Sequence, residues 1–433
     1  MSNGDFPSES VGERELEESN RAYTILRNPD LRLYLGGRLI AITGQQMLAW
    51  AIGWELFYRT ESLVKLALVG LTQVLPMFLF TLPAGHVADN YNRKRVITLM
   101  TLVMAAASLG LTFISFYQAR VELMYICLFV MGASRTFLSA ASASFLPALV
   151  DRKDLAYAVN WSATTFQLSS IIAPIAMGGI IAIAGKHAYP VYALNVCAAL
   201  IFAGMMARIR THHIVAVREK MSFRTLLTGV DFVFANKTIL GIISLDMFAV
   251  LLGGATALLP VYAARILLVN SVGLGFLEAA LPTGALICTF ILAHRPPIQK
   301  AGRTLLLVVT AFGLATIGFG LSRWFWLSFV MLFTCGAVDN VSVVIRGTLV
   351  QLLTPDEKRG RVSAVNNLFI GTSNEMGEFE SGMVAQLFGP VIGNTVVAGT
   401  IISVVGGGFG TIAVVIAIAL IFPEIRKYGR LDA

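Results

Sequence analysis

Ionisable side chains interrupt the long apolar runs of this 433-residue chain at only a few places, and each is expensive there unless it meets a partner or a water-filled space. Arg135 and Asp339 lie about halfway along the runs 122–149 and 324–353, and a repeat offset of 206 residues carries position 135 to within two residues of Asp339. At equal depth the two can form an ion pair. Protonating Asp339 would then release Arg135 and turn proton binding into a change of shape; the same pair could equally be a permanent structural bridge. Glu375 and Glu378 are three residues apart and share a helical face, whereas Glu380 points elsewhere. Two neighbouring carboxylates in a medium of low dielectric resist ionising together, so one can hold a proton. Alternatively, they hold their helix against polar groups. Asp246 and Glu278 are single acids in the runs 237–265 and 271–293. Arg38 and Glu55 stand toward opposite ends of the run 31–58, where snorkelling to the interface accounts for them.

A second set of residues could contact a small molecule. Gln45, Gln46, Trp50 and Trp54 recur at helical spacing in the first run, and Asn374 adds an amide beside Glu375. A cavity lined by amides and indoles suits an amphipathic, ring-bearing ligand, although Trp50 and Trp54 could as well pack or sit at an interface. Catalytic constellations are missing. The chain has no P-loop, no HExxH and no nucleophile elbow, so neither an enzyme nor direct use of ATP is expected, and no cofactor. Cys127, Cys197, Cys288 and Cys335 lie singly inside apolar runs, which gives no metal site and no disulfide framework. His212-His213 have no partner at ligand spacing.

The elements that must position these residues follow from composition. Apolar residues make up 56% of the chain and charged residues 13%, with a mean hydropathy of +0.74. A soluble surface needs about a quarter charged residues, so the solvent of this chain is largely the lipid bilayer. A spanning helix needs about 20 apolar residues. Runs of that length fall at 31–58, 64–87, 95–117, 122–149, 155–184 and 188–210, then at 237–265, 271–293, 303–322, 324–353, 361–388 and 391–422. The chain is therefore expected to be an all-α integral membrane protein of twelve transmembrane helices. It divides into a tail (1–29), a six-helix half (30–210), a polar linker (211–236), a second half (237–423) and a short tail (424–433). Ala158-Val159-Asn160 after Asp151-Arg152-Lys153 recurs as Ala364-Val365-Asn366 after Glu357-Lys358-Arg359, and the cluster ending at Arg95 recurs at Arg303. The offsets of 206 and 208 mark the halves as pseudo-symmetric repeats, between which transporters commonly place their site.

Of the 33 lysines and arginines, 23 fall on the side of the N-terminus and five on the other. The positive-inside rule then puts both termini in the cytosol. The net charge of +8 thus reflects topology rather than nucleic-acid binding. Residues 1–20 are polar and acidic, unlike a cleaved leader. Nothing in the chain requires an oligomer, and a monomer is expected.

Between the second and third runs stands Gly85-His86-Val87-Ala88-Asp89-Asn90-Tyr91-Asn92-Arg93-Lys94-Arg95. This resembles the G-x-x-x-D-R-x-G-R-K/R signature of the major facilitator superfamily, at the loop where that family carries it. Asn90 replaces the usual arginine, and Asn92 replaces a glycine, a mild change because Asn tolerates positive φ. The resemblance implies a cytosolic latch made of Gly85, Asp89, Arg93, Lys94 and Arg95, whose cations pair with acids of the other half. The second copy, His294 to Arg303, lacks the acid. Further segments are similar to the enterobactin-exporter branch, which includes macrolide efflux proteins: Arg27-Asn28-Pro29-Asp30-Leu31-Arg32, Leu75-Pro76-Met77, Thr354 to Val362, and Gly377 to Gly382. Ala173-Pro174 followed by Gly178-Gly179 resembles the antiporter signature, and packing through small residues explains it too. The resemblance implies that spans one, four, seven and ten line a central cavity. An Arg135–Asp339 pair is then expected across it, with Asp246, Glu375 and Glu378 as further proton-coupling candidates. The expected activity is proton-coupled export of an amphipathic small molecule, a drug or siderophore, from a bacterial inner membrane by alternating access. An uptake or lipid-flipping facilitator of the same fold is the alternative; a membrane enzyme or receptor, the third reading, would need clustered catalytic residues or a sizeable soluble domain, and the sequence shows neither.

Overall fold

A computed structural model describes residues 24–210, 230–253, 255–295, 298–389, 396–427 and 429. Among these residues every regular element is helical. The long helices are α1 (Pro29–Thr60), α2 (Leu63–Asn90), α3 (Arg93–Phe116), α4 (Glu122–Phe145), α5 (Leu155–Ile183), α6 (Tyr189–Arg208), α7 (Lys237–Gly253), α8 (Ser271–Ala293), α9 (Ala301–Leu321), α10 (Phe325–Leu353), α11 (Asp356–Phe388) and α12 (Val396–Ile421). After Gly253 the seventh crossing continues as a 3-10 turn (Ala255–Leu258), a short turn (Leu259–Val261) and a π turn (Tyr262–Ile266). The expected runs match these helices closely. The eleventh begins earlier, at Asp356, because its polar first turns are helical as well. The linker and its histidines at 212–213, and residues 1–23, lie outside the described residues.

Helix starts follow local chemistry. Asn28 caps α1, accepting from the amides of Asp30 and Leu31 at 3.0 and 3.3 Å, with Pro29 in the first turn, where its missing N–H costs nothing. Ser62 and Asn270 cap α2 and α8 in the same way. Asn92 does so for α3, accepting from Arg95 N at 3.2 Å with a φ of −62°. The asparagine in the loop signature is therefore a helix cap and not a substitute for glycine's positive φ.

Among the described residues, ten helical crossings are long and apolar enough to span a membrane. The other two long helices, α1 and α11, have 32 and 33 residues but are more polar. They carry most of the amides and acids singled out above. Large apolar side chains such as Phe290, Leu307 and Ile183 point outward, as lipid requires.

The packing is a two-fold repeat. In the first six helices α1 lies against α5 and α6, α2 against α4, and α3 against α4 and α6. Adding six to each number reproduces the packing of the last six. The two sets meet along two seams, α2 with α11 and α5 with α8, which exchange under the same operation. Both depend on bare glycine backbone. A Cβ on Gly178 would stand 2.4 Å from the Ser271 carbonyl oxygen, and one on Gly275 would stand 2.4 Å from that of Pro174. On the other seam, Gly70 faces the backbone of Glu375 and Gly382 faces Ala67. The Gly406-Gly407-Gly408 run also packs, Gly407 against Leu252 and Gly408 against Gly313.

Candidate functional site

Two adjoining cavities open along the centre of the bundle. The first, of about 590 Å³, lies within the first set, lined by α1, α2, α4, α5 and Phe202 of α6, and reaches Tyr34, Leu146, Pro147 and Leu155, at the end of the bundle where α1 begins and α12 ends. The second, of about 380 Å³, lies between the sets and includes Trp50, Arg135, Asp339, Asn374, Glu375 and Glu378. They share Gln46, Ala49, Val69, Gln73 and Arg135, so a single passage joins them. Toward the opposite end the two sets close on each other. Gly178 meets Ser271 there, Gly53 faces Pro260, and Arg265 pairs with Glu61.

The charges are distributed differently from the expectation. Besides Arg265–Glu61 at the closed end, the ion pair that crosses between the sets within the passage is Arg135 Nη1 with Glu375 Oε1, at 3.9 Å. Asp339 instead lies 4.0 Å from Nη2 of Arg346, whose other terminal nitrogen pairs with Asp246. Arg346 also donates through Nε to the Ser342 carbonyl at 3.3 Å. Arg135 and Asp339 line one cavity but are not an ion pair. Equal depth fixes a level, not a direction around the helix, and Asp339 and Arg346 are seven apart on α10, hence on one face. That spacing was the available signal for Arg346, a residue the sequence argument left without a role.

Asp246 and Arg346 are both 9% exposed, so their pair belongs to the packing of α7 on α10. The Asp339 side chain is 40% exposed and faces the cavity. A crevice of about 20 Å³ runs between Asp246, Phe312, Asp339 and Ser342, room for about one water. Glu375 and Glu378 stand where α11 crosses Gly70 of α2. Glu375 turns one oxygen to Arg135, while its other oxygen is buried without a hydrogen bond.

Among the amides and indoles, Gln45 and Gln46 line the first cavity, Gln46 donating to Ser170 Oγ at 2.8 Å. Trp50 and Asn374 line the second. Trp54 does not reach the cavity. It is 6% exposed and stacks on Tyr58 with ring centroids 6.0 Å apart, a packing residue. Arg38 and Glu55 do not snorkel. Arg38 lines the first cavity and donates to Tyr34 Oη at 3.1 Å, while Glu55 is buried and paired with Arg59 at 3.0 Å. Gln73, absent from the sequence argument, lines both cavities.

The loop signature ties down one set of helices. Lys94 Nζ donates to the carbonyls of Ala207 and Ile209 at 2.9 and 2.8 Å, closing the C-terminus of α6. Arg93 donates to Ser144 O at 3.1 Å and, more weakly, to Ala88 O at 3.4 Å. Arg95 is exposed, and Gly85 lies in the last turns of α2. Asp89 is also in α2, but its side chain lies outside the described residues. Among the described residues, the partners of Arg93 and Lys94 are carbonyls of the same half.

A two-fold bundle of long apolar helices around a polar central passage is the architecture of a membrane transporter of the major facilitator class. Residues 21–419 match the transmembrane secretion effectors of that superfamily, and the chain belongs to that family. It is a multi-pass membrane transporter and not an enzyme. The enterobactin exporter EntS of Escherichia coli O1:K1 / APEC is 25% identical over 410 residues, 93% of this chain and 94% of that protein. Its counterpart in Shigella boydii serotype 18 matches equally. Among solved structures, a bacterial homologue of the human lysosomal transporter Spinster, inward-facing and occupied, superposes with a TM-score of 0.69 at 12% identity, over 94% of this chain and 97% of that one. A D-xylose–proton symporter gives 0.68 at 11% identity, over 92% and 98%.

Proposed function

We propose that the protein is a secondary active exporter. It takes an amphipathic, ring-bearing small molecule from the cytosol across a bacterial inner membrane in exchange for protons. The observation that carries this reading is the inter-half pair of Arg135 with Glu375, set in the wall of the shared passage beside Glu378 and Asn374. A pair that bridges the halves is sensitive to their separation, so protonating the glutamate and moving the halves are coupled. The mixture of Trp50, Gln45 and Gln46 with apolar wall suits a ligand with flat rings and a polar edge. The relatives named as enterobactin exporters support the outward direction.

With both termini cytosolic, the described conformation opens inward and is sealed outside. Asp339, at the cavity edge beside the Arg346–Asp246 pair, is the secondary coupling candidate. Residues 30–210 and 237–423 act as the two moving halves, the basic clusters hold the inner face, and a single chain suffices.

The test is efflux from exporter-deficient cells expressing the chain, loaded with a catecholate such as enterobactin or with a macrolide, with and without a protonophore. Export that stops with protonophore and in Glu375→Gln supports the reading. Export untouched by both overturns proton coupling, and substrate accumulation inside cells overturns the direction.

A further inference from the structure

The two seams differ in how they hold their acids. On the α2–α11 seam, Glu375 faces a cation, Arg135. On the α5–α8 seam, Glu278 has none. It is 3% exposed, and both carboxyl oxygens are buried without a hydrogen-bond partner.

The register of this seam fixes where Glu278 lies. Ser271 meets Gly178, Gly275 meets Pro174, and the Pro282 carbonyl accepts from Gln167 Nε2 at 2.9 Å. Residues 271, 275, 278 and 282 form one stripe of α8, so Glu278 lies on the face turned to α5, level with Ile171. Pro174 and Pro282 lie inside their helices. They remove the amides that would have bonded the carbonyls of Ser170 and Glu278. Glu278 thus lies at the level of the seam where both helices have lost an intrahelical bond.

Among the described residues, no charge compensates it. Tyr157 is the only titratable residue of α5, and it lies well toward the other end of the helix. Of the groups on α10, Cys335 contacts Thr316, while Asp339 and Arg346 engage each other. In the π turn, Tyr262 donates to Gly320 O and Arg265 pairs with Glu61. On α8 itself the other titratable group is Cys288, ten residues away. The neighbours in the stripe and its flanks, Leu274, Leu277 and Ala280, are apolar and fully buried. An ionised carboxylate in such a place is not stable.

We propose that Glu278 is a proton-binding site of the α5–α8 seam, neutral while the seam is closed and ionised when the halves part and water enters. This goes beyond the coupling role given to Glu375 and rests only on the alternating-access part of the proposed function. Linkage gives the sign. The closed seam binds one proton more than the open one, so raising the pH favours opening. The proton also leaves toward the side on which the seam opens.

The experiment uses the full-length protein in lipid nanodiscs without substrate, its four cysteines replaced by alanine and spin labels placed at Ile183→Cys and Leu268→Cys. The distance distribution is recorded across pH in this otherwise wild-type background, in Glu375→Gln/Glu378→Gln, and in that double variant with Glu278→Gln added. The expected result in the double variant, where Glu278 is the remaining seam acid, is an open-to-closed ratio that rises with pH by up to about tenfold per unit. That slope should vanish when Glu278→Gln is added, leaving the seam closed. A flat profile in the double variant, or a slope that persists once Glu278→Gln is added to it, overturns the proposal. Should Glu278→Gln fail to fold, the slope is read in Glu278→Asp. A shorter acid should keep the slope with a displaced midpoint, and an unchanged midpoint counts against Glu278. Because transport is not measured, failure here leaves the exporter reading standing, and loss of proton-coupled efflux would leave this result standing.

Discussion

Gly178 and Gly179 are adjacent in α5, and only one of them should matter to the seam. A Cβ on Gly178 would fall 2.4 Å from the Ser271 carbonyl oxygen and 3.1 Å from its carbon, whereas one on Gly179 meets nothing within 4 Å. Alanine at either position gains about 1 kcal/mol of helix propensity. That gain is common to the closed and open states and cancels in their ratio. What remains for Gly178→Ala is the overpacking of a backbone contact that exists only when the seam is closed, about 1–3 kcal/mol. This corresponds to a shift of roughly 5- to 150-fold toward the open seam. Distance measurements between labels on Ile183 and Leu268 should therefore show a large opening in Gly178→Ala and almost none in Gly179→Ala. Equal behaviour of the two variants would refute the argument that this glycine backbone contact holds the seam shut. The same logic extends to Gly275→Ala, which meets Pro174 O at 2.4 Å.

Other consequences can be checked on the same material. Arg346→Ala should strand Asp246 and cost about 3–5 kcal/mol, seen as a lower unfolding temperature in detergent, while the double variant with Asp246→Asn should recover much of the loss. Trp54→Ala should cost about 3–5 kcal/mol of stability through lost packing, but Trp50→Ala should leave thermal unfolding nearly unchanged and reduce substrate affinity. Lys94→Ala should loosen the end of α6, exposing the Ala207 and Ile209 carbonyls. Amide exchange there should quicken while the α5–α8 seam keeps its protection.

Much of this architecture was legible in the sequence, because the thickness of a bilayer dictates the length of an apolar run and the basic residues mark the loops. The repeat offset anticipated the two-fold packing. The pairing of charges was not legible, since it depends on how each helix is rotated, which only neighbouring helices decide. Arg135 and Asp339 share a depth, yet each found a closer partner: Glu375 on α11 for one, Arg346 two turns along α10 for the other. Arg38 and Glu55 misled for a related reason. A polar passage and an i,i+4 partner offer a charge the same relief as the membrane surface. Trp54 and Trp50 are one turn apart and read alike as a stripe, but Trp54 turns into the buried core while Trp50 lines the cavity.

The polarity of α11 bears on how the chain is assembled. A charged residue at the centre of an inserting helix costs roughly 2.5–3.5 kcal/mol, and each leucine or valine returns only about 0.3–0.6 kcal/mol. With Glu375, Glu378 and Glu380 in its middle turns, α11 is poorly suited to leave the translocon alone. Two of the helices that shelter it, α2 and α7, are made before it, and α12 follows. Insertion of the eleventh segment is therefore conditional on earlier ones having docked, and Arg135, carried by α4, is waiting for it. The residues that make the passage polar thereby impose an order on biogenesis: the first half must be standing before the second can be completed.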